Sequence, residues 1–173
     1  IAAAGAASRA GCTTPLVYRL FGSRRDLILE CVRTTYRKLL DNLERVAALE
    51  SASALERLNA VASYVDTREL GDQEVFEAMI ALECRGDPKI AKELHTIFVK
   101  IARLLETVVQ AGIEAGEFRA DLDARHMSWR LVDFGLSRNQ AFLNGVDELR
   151  GKDHLRRVYQ SMIEEMTRKP RRR

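Results

Sequence analysis

The sequence predicts an all-α protein in which a small helix-turn-helix head precedes a larger helical body. Apolar residues recur at helical spacing, strand-like alternation is absent, and the 173 residues include only 3 prolines. A hydrophobic content of 46% is enough for a core in a chain of this length. We expect residues 1–45 to form the head, residues 46–167 the body, and residues 168–173 a basic tail.

The head is expected to contain two short helices joined by a glycine turn. Gly11 follows alanines at helical intervals and can adopt the positive φ that ends a helix. Thr14 is the expected N-cap of the second helix, and Pro15 suits its first position because no hydrogen bond is lost there. With an end near Phe21, the two helices lie within about twenty residues, which is helix-turn-helix spacing.

Longer helices are expected to follow. Gly22 ends the second helix, and Ser23 with Asp26 has the spacing of a capping box at the start of the next one. This third helix reaches about Leu49 and links head to body. The remaining predicted starts are another capping box, Ser53 with Glu56, and a cap at Asp72 before a helix that ends at Gly86. A cap followed by proline, Asp87-Pro88, begins a helix that ends at Gly116, Asp123 caps the next helix, and the last helix begins at about Asp153.

The last two predicted helices carry the most apolar surface. The helix after Asp123 is apolar on two faces and therefore needs two partners, and the last helix, to Thr167, has one long apolar stripe. These faces are buried either within one subunit or against a second copy of the chain, and the sequence leaves both alternatives open.

Fifteen residues in the head, from Ala10 to Arg24, resemble the signature of the TetR family of transcriptional regulators. The family pattern is roughly Ala-Gly-Val-Ser-x-x-x-Leu-Tyr-x-His-Phe-x-Ser-Lys, and this chain has AGCTTPLVYRLFGSR without a gap. Tyr18, Phe21 and the Ser23-Arg24 pair are the most specific matches.

Three departures from the family pattern matter. Val17 replaces the usual Leu, and Arg24 replaces Lys while keeping the charge and offering more donors. Leu20 stands where a His or Tyr is common, at the expected loss of one phosphate contact. Ile1 to Gly5 look like a fragment of the family's first helix, so we expect residues to be missing near Gly5 and Ala6.

The resemblance implies a ligand-responsive repressor that binds a palindromic DNA operator as a homodimer. The start of the recognition helix would read the major groove, and the residues after it would hold phosphates. The charge distribution agrees, because residues 1–45 carry eight basic against four acidic side chains, whereas residues 46–167 carry fifteen against twenty-one. The expected DNA-binding residues are Thr13, Thr14, Pro15, Leu16, Tyr18, Arg19, Ser23 and Arg24.

Two further sites follow from the resemblance. Bodies of this family usually enclose a small-molecule effector, and their last two helices pair with the same helices of a second subunit. The candidate pocket residues, each of which is alternatively plain core, are Phe76, Met79, Phe98, Trp129, Arg130, Asp133 and Phe134. The candidate dimer-interface residues are Val132, Leu136, Leu143, Leu155, Tyr159, Met162 and Met166.

The sequence favours a binding protein over an enzyme. The three histidines are scattered, and no catalytic motif, phosphate loop or metal-ligand pattern is present, so we expect no cofactor and no metal. Cys12, Cys31 and Cys84 are odd in number and widely spaced, which fits reduced thiols in the cytoplasm, and no apolar run is long enough to cross a membrane. The alternative function is a small-molecule-binding or adaptor bundle that does not bind DNA.

Overall fold

The computed structural model describes residues 3–67, 80, 86–149 and 151–168, and in these residues the chain is helical without strands, as predicted. None of the described helices is both long and apolar enough to span a membrane. The described α-helices are α1 (Ala3–Arg9), α2 (Thr14–Phe21), α3 (Arg24–Ala47), α4 (Ala54–Thr67), α5 (Pro88–Glu114), α6 (Ala124–Leu143) and α7 (Lys152–Thr167), with one 3₁₀ turn at Asp147–Leu149.

Side-chain caps define four of these helix starts where the sequence predicts them. In each case a hydroxyl or carboxylate oxygen accepts a backbone N–H that the helix itself cannot satisfy. The bonds run from the N–H of Asp26 to Ser23 Oγ (3.1 Å), of Glu56 to Ser53 Oγ (3.1 Å), of Lys89 to Asp87 Oδ1 (2.9 Å) and of His126 to Asp123 Oδ1 (2.8 Å).

The start of α2 differs from the prediction by one residue. Thr13 is the N-cap in place of Thr14, because its backbone is extended and its carbonyl accepts the N–H of Val17 at 3.2 Å. Pro15 therefore occupies the second helical position, which lies within the first turn, where no intrahelical donor is needed. Gly5 and Ala6 both lie inside α1, and the expectation that residues are missing near them stays a prediction. The cap predicted at Asp72 lies outside the described residues.

Most of the described buried residues fall into two separate clusters, and α3 contributes to both. Ala7, Val17 and Leu27 make a small cluster between α1, α2 and α3. Ile28, the next residue along α3, belongs with Val32 to the main core, which α5 dominates. The N-terminal turns of α3 thus join the head to the body directly.

The centre of the body is α5, which is 27 residues long and so spans about 40 Å. Its C-terminal end packs closely on α4 and on the loop that follows α5. Gly112 allows this approach, because a Cβ there would lie 2.3 Å from the ring of Phe118 and 2.7 Å from the Cβ of Ala54. Glu117 then caps α4, its carboxylate accepting the N–H groups of Ala54 (3.0 Å) and Leu55 (3.1 Å).

α6 and α7 complete the body on the same core. Met127 and Met166 are fully buried, and the N–H of Arg119, just after α5, donates to the carbonyl of Met166 at 2.9 Å. The C-terminal end of α7 therefore lies beside the C-terminal end of α5. The basic tail, of which the structure describes only Arg168, starts at this end of the body, whereas the N-terminal end of α5 contacts the head.

Candidate nucleic-acid interface

A tight turn fixes the angle between α1 and α2. Gly11 has a φ of +63°, and the N–H groups of Gly11 and Cys12 close the end of α1 by donating to the carbonyls of Ser8 (3.3 Å) and Ala7 (2.9 Å). This pair of bonds around a left-handed glycine is the common way in which a helix ends before a sharp change of direction. The turn delivers Thr13 directly as the N-cap of α2.

α2 is anchored by one face and exposes the other. Val17 is buried against Ala7 and Leu27, and Phe21 packs partly on the same small cluster. Gly22, with a φ of +79°, ends the helix, and its N–H donates to the carbonyl of Tyr18 at 2.7 Å. The outer face of α2 therefore remains open to a partner.

The eight residues expected to bind DNA all lie on α2 or within three residues of its ends. Tyr18 is 41% exposed, and the neighbouring Leu20, at the position that departs from the family pattern, is 67% exposed. Thr14, Leu16 and Ser23 are half-buried, whereas the exposed members of the set are Thr13, Pro15, Tyr18, Arg19 and Arg24.

Ser23 has a structural task that limits its role at this surface. Its hydroxyl donates to Asp26 Oδ2 at 2.6 Å while accepting the N–H of Asp26, so both functions of the group are used inside α3. Ser23 therefore positions the start of α3, where Arg24 and Arg25 follow. Because its hydroxyl hydrogen already bonds to Asp26, Ser23 contributes to ligand binding through the position that it gives to the start of α3.

Ion pairs that the sequence analysis did not identify link α3 to α5. Arg25 pairs with Asp87, Arg33 forms two hydrogen bonds to Glu93 (2.8 and 3.3 Å), and Lys100 pairs with Glu44 at 2.6 Å. The hydrogen bond from Arg25 holds the pKa of Asp87 below its usual value. The sequence offered no signal for these pairs, because their partners are about sixty residues apart.

The candidate pocket residues are dispersed in the described part of the body. The ring of Phe98 packs edge-on against Tyr36 at 5.4 Å, in the α3–α5 interface. Arg130 pairs with Glu165 at 2.7 Å, and Asp133 is exposed. Trp129 and Phe134 are half-buried, and Phe76 and Met79 lie outside the described residues.

An open groove of about 350 Å³ lies on a different part of the molecule, where α2 meets α3. It is lined by three apolar and three charged residues. These are Leu20, Phe21, Asp26, Leu29, Glu30 and Arg33.

Much of the candidate dimer surface is used inside the chain. Val132, Met162 and Met166 are at most 5% exposed in the single chain. For these residues the structure shows burial within one subunit, which was one of the two alternatives. These three residues therefore have no surface left for a partner.

The other candidate interface residues are less buried. Leu136, Leu155 and Tyr159 are half-buried, and the Tyr159 hydroxyl bonds to Asn59 at 3.1 Å. The side chain of Leu143 lies outside the described part.

Comparison with known proteins adds no further information on this surface. No protein-family model matches the chain, and no curated protein matches its sequence.

Proposed function

We propose that this protein is a DNA-binding transcriptional regulator of the TetR type, in which α2 is the recognition helix. The observation that carries the proposal is the two-sided character of α2. Val17 fixes one face to the small cluster, while Pro15, Tyr18 and Arg19 are exposed on the remainder of the helix, next to Arg24. A helix that projects from a glycine turn in this way fits the major groove, whose width accepts one α-helix.

The proposed division of labour follows from position and chemistry. Thr13, Thr14 and Leu16 lie at the N-terminal end of α2, where recognition helices contact base edges. Tyr18, Arg19 and Arg24 provide hydroxyl and guanidinium donors to phosphates. The capped N-terminus of α3 adds a partial positive charge at the same place.

We further propose that the protein acts as a homodimeric repressor on a palindromic operator and releases it when a small molecule binds the body. Two copies of α2 must lie about 34–36 Å apart to enter successive major grooves. The half-buried residues Leu136, Leu155 and Tyr159 are candidates for the contact between copies.

The proposal is tested by an electrophoretic shift with the promoter region of the protein's own gene and an excess of non-specific competitor DNA. We expect a retarded complex with the wild-type protein and with Arg103→Ala, which removes an exposed cation from the body. Arg19→Ala should weaken the complex. A body without DNA function, as in the adaptor alternative, would give no retarded complex with any variant.

A further inference from the structure

One ion pair joins the DNA-facing end of the molecule to the centre of the body. Arg25 lies in the first turn of α3, immediately after Arg24, and its guanidinium Nε donates to Asp87 Oδ2. The Arg25 side chain remains 49% exposed, whereas that of Asp87 is 16% exposed. The cation therefore belongs to the head and still contacts solvent, while the anion is held by the body.

Asp87 is fixed by its own helix. It is the N-cap of α5, where its other carboxylate oxygen accepts the N–H of Lys89 at 2.9 Å. Ile90, three residues further on, is buried in the main core at 1% exposure. The position of this carboxylate is therefore set by the packing of α5.

Arg25 stands where a cation is unfavourable unless an anion is nearby. The N-terminal turn of a helix carries a partial positive charge, which repels a guanidinium and attracts anions. Asp87 provides that anion in the DNA-free protein. A DNA phosphate could provide it equally well, because a guanidinium binds phosphate and carboxylate oxygens with the same fork of donors.

We propose that Arg25 is a phosphate-binding residue that Asp87 masks in the free protein. On DNA the guanidinium leaves the carboxylate and binds a phosphate of the backbone. Because Asp87 caps α5, a shift of α5 changes how firmly Arg25 is held, which gives the body a direct control over one DNA contact. This inference rests on the proposed function, since it assigns a further residue to the same DNA surface.

A second ion pair on the same two helices provides a matched control. Arg33 and Glu93 form the same kind of contact, with two hydrogen bonds. Arg33 is eight residues after Arg25 and so lies about 12 Å further from the start of α3. Breaking this pair also removes one negative charge and releases one arginine, but two turns further along α3 than Arg25.

The test measures binding to a fluorescein-labelled duplex of random sequence by anisotropy, over a range of KCl concentrations. Random sequence is suitable because phosphate contacts are independent of sequence. The variants are Asp87→Asn, which keeps a capping oxygen for α5, Glu93→Gln, Arg25→Gln and the double variant Arg25→Gln/Asp87→Asn. Circular dichroism checks that each variant is folded. If Asp87→Asn is unfolded, Asp87→Ser takes its place, because serine also caps helices.

We expect Asp87→Asn to bind about two- to fivefold more tightly than the wild type, the range that an exposed ion pair allows. The log–log dependence on salt should be the same for Asp87→Asn and the wild type, because Arg25 binds the phosphate in both complexes, and it should become shallower by about 0.9 in Arg25→Gln, which loses that one contact. Glu93→Gln should change neither the affinity nor the salt dependence appreciably. Arg25→Gln should bind more weakly, and the gain from Asp87→Asn should vanish when Arg25 is absent.

Three results would overturn the inference. In the first, Asp87→Asn binds DNA no more tightly than the wild type. In the second, its gain persists in the double variant, which would mean a general effect of charge. In the third, Glu93→Gln gives the same gain. Failure of the proposed function is distinguishable, because the wild-type protein itself would then bind no duplex at any salt concentration.

Discussion

Val17 and Tyr18 are neighbours on α2 with opposite tasks. Val17 is 5% exposed and holds the helix to Ala7 and Leu27, whereas Tyr18 faces solvent and its carbonyl accepts the N–H of Gly22. The small cluster contains only a few residues, so each one matters to the orientation of α2. Substitutions on the exposed face should therefore alter binding, and substitutions at Val17 should alter folding of the head.

Residues that hold phosphates should be separable from residues that read bases. We expect Tyr18→Ala and Arg24→Ala to weaken binding to every DNA sequence, each lowering the log–log salt slope by roughly 0.9 if one phosphate contact is lost. Truncation of Thr14 or Leu16 should instead reduce discrimination between operators, at about 1–3 kcal/mol for each lost base contact.

Anisotropy titrations with an operator and a scrambled duplex measure both effects. Tyr18→Phe, which keeps the ring, shows whether the hydroxyl carries the contact, and Arg103→Ala in the body is the control for loss of a cation. If the four truncated variants lost affinity for both duplexes by the same factor, the division between phosphate holders and base readers would be wrong.

The long helix α5 owes its packing to a glycine that has no special backbone conformation. Gly112 lies in the last turns of α5, where both the ring of Phe118 and the Cβ of Ala54 in α4 lie close to it. No side chain fits in this space. The glycine therefore joins α4, α5 and the loop after α5 into one packed unit.

We expect Gly112→Ala to lower the free energy of unfolding by about 1–3 kcal/mol, because the added methyl group must displace the Phe118 ring. Gly135→Ala is the matched control: it is also inside a helix, nothing lies within 4 Å of its added Cβ, and it should stabilise the protein by up to about 1 kcal/mol. Urea unfolding measures both. Equal effects of the two substitutions would contradict the packing described for Gly112.

The ion pairs between α3 and α5 make the free energy of unfolding depend on pH in the acidic range. Hydrogen bonds from arginines lower the pKa of Asp87 from 3.8 and of Glu93 from 4.5, and the capping bonds with Ser53 lower the pKa of Glu56. The unfolded chain therefore binds more protons in this range, so the stabilisation is present above the unfolded pKa values and is lost as the pH falls through the folded ones.

We accordingly expect the free energy of unfolding to decrease as the pH falls below about 4.5, with little contribution from these groups above about pH 6. Glu93→Gln should make this decrease less steep, because one of the carboxylates with a lowered pKa is gone. Urea unfolding at a series of pH values measures the effect. A variant with the same slope as the wild type would show that the Arg33–Glu93 pair does not hold in solution.

The helix starts could be predicted from sequence because capping is local. Ser23, Ser53, Asp87 and Asp123 each bond to an N–H two or three residues away, so the sequence contains both partners. The exception was Thr14, since two adjacent threonines precede Pro15 and only the extended backbone of Thr13 decides between them.

Contacts between distant segments could not be predicted in the same way. The apolar stripe of the last helix indicates that Met162 and Met166 are buried but not against what, and the structure buries them within the chain. Arg25 and Asp87 meet although 62 residues separate them. The candidate pocket residues were chosen by residue type alone, and type does not determine whether Phe98 faces a cavity or, as here, the ring of Tyr36.

At the scale of the whole molecule, the two proposed activities are DNA binding by the head and effector binding by the body. They lie at different ends of the rigid helix α3. α3 contributes Leu27 to the small cluster and Ile28, Val32 and Leu43 to the main core, so movement of the body is passed to the head through one helix. The 24 residues of α3 span about 36 Å, and a tilt of a few degrees at one end displaces the other by ångströms.

A second copy of the chain is needed for this geometry to act on a palindrome. We expect a dimer at micromolar concentration by sedimentation, with an interface above about 1,000 Å² that includes the half-buried residues of α6 and α7. Leu136→Glu and Leu155→Glu should give monomers with unchanged helical circular dichroism. Leu49→Glu, at an apolar residue 39% exposed elsewhere, is the control and should remain dimeric. A wild-type monomer would exclude the symmetric operator.

Selection of duplexes from a random library by the wild-type protein tests DNA reading by α2 most directly. We expect enrichment of inverted repeats whose half-site centres lie about 34–36 Å apart, because two copies of α2 must enter successive major grooves. Enriched duplexes should bind at least about 10³-fold more tightly than scrambled ones at physiological salt. A library that remains random after repeated rounds, with equal affinity for all duplexes, would contradict the assignment of α2 as a recognition helix.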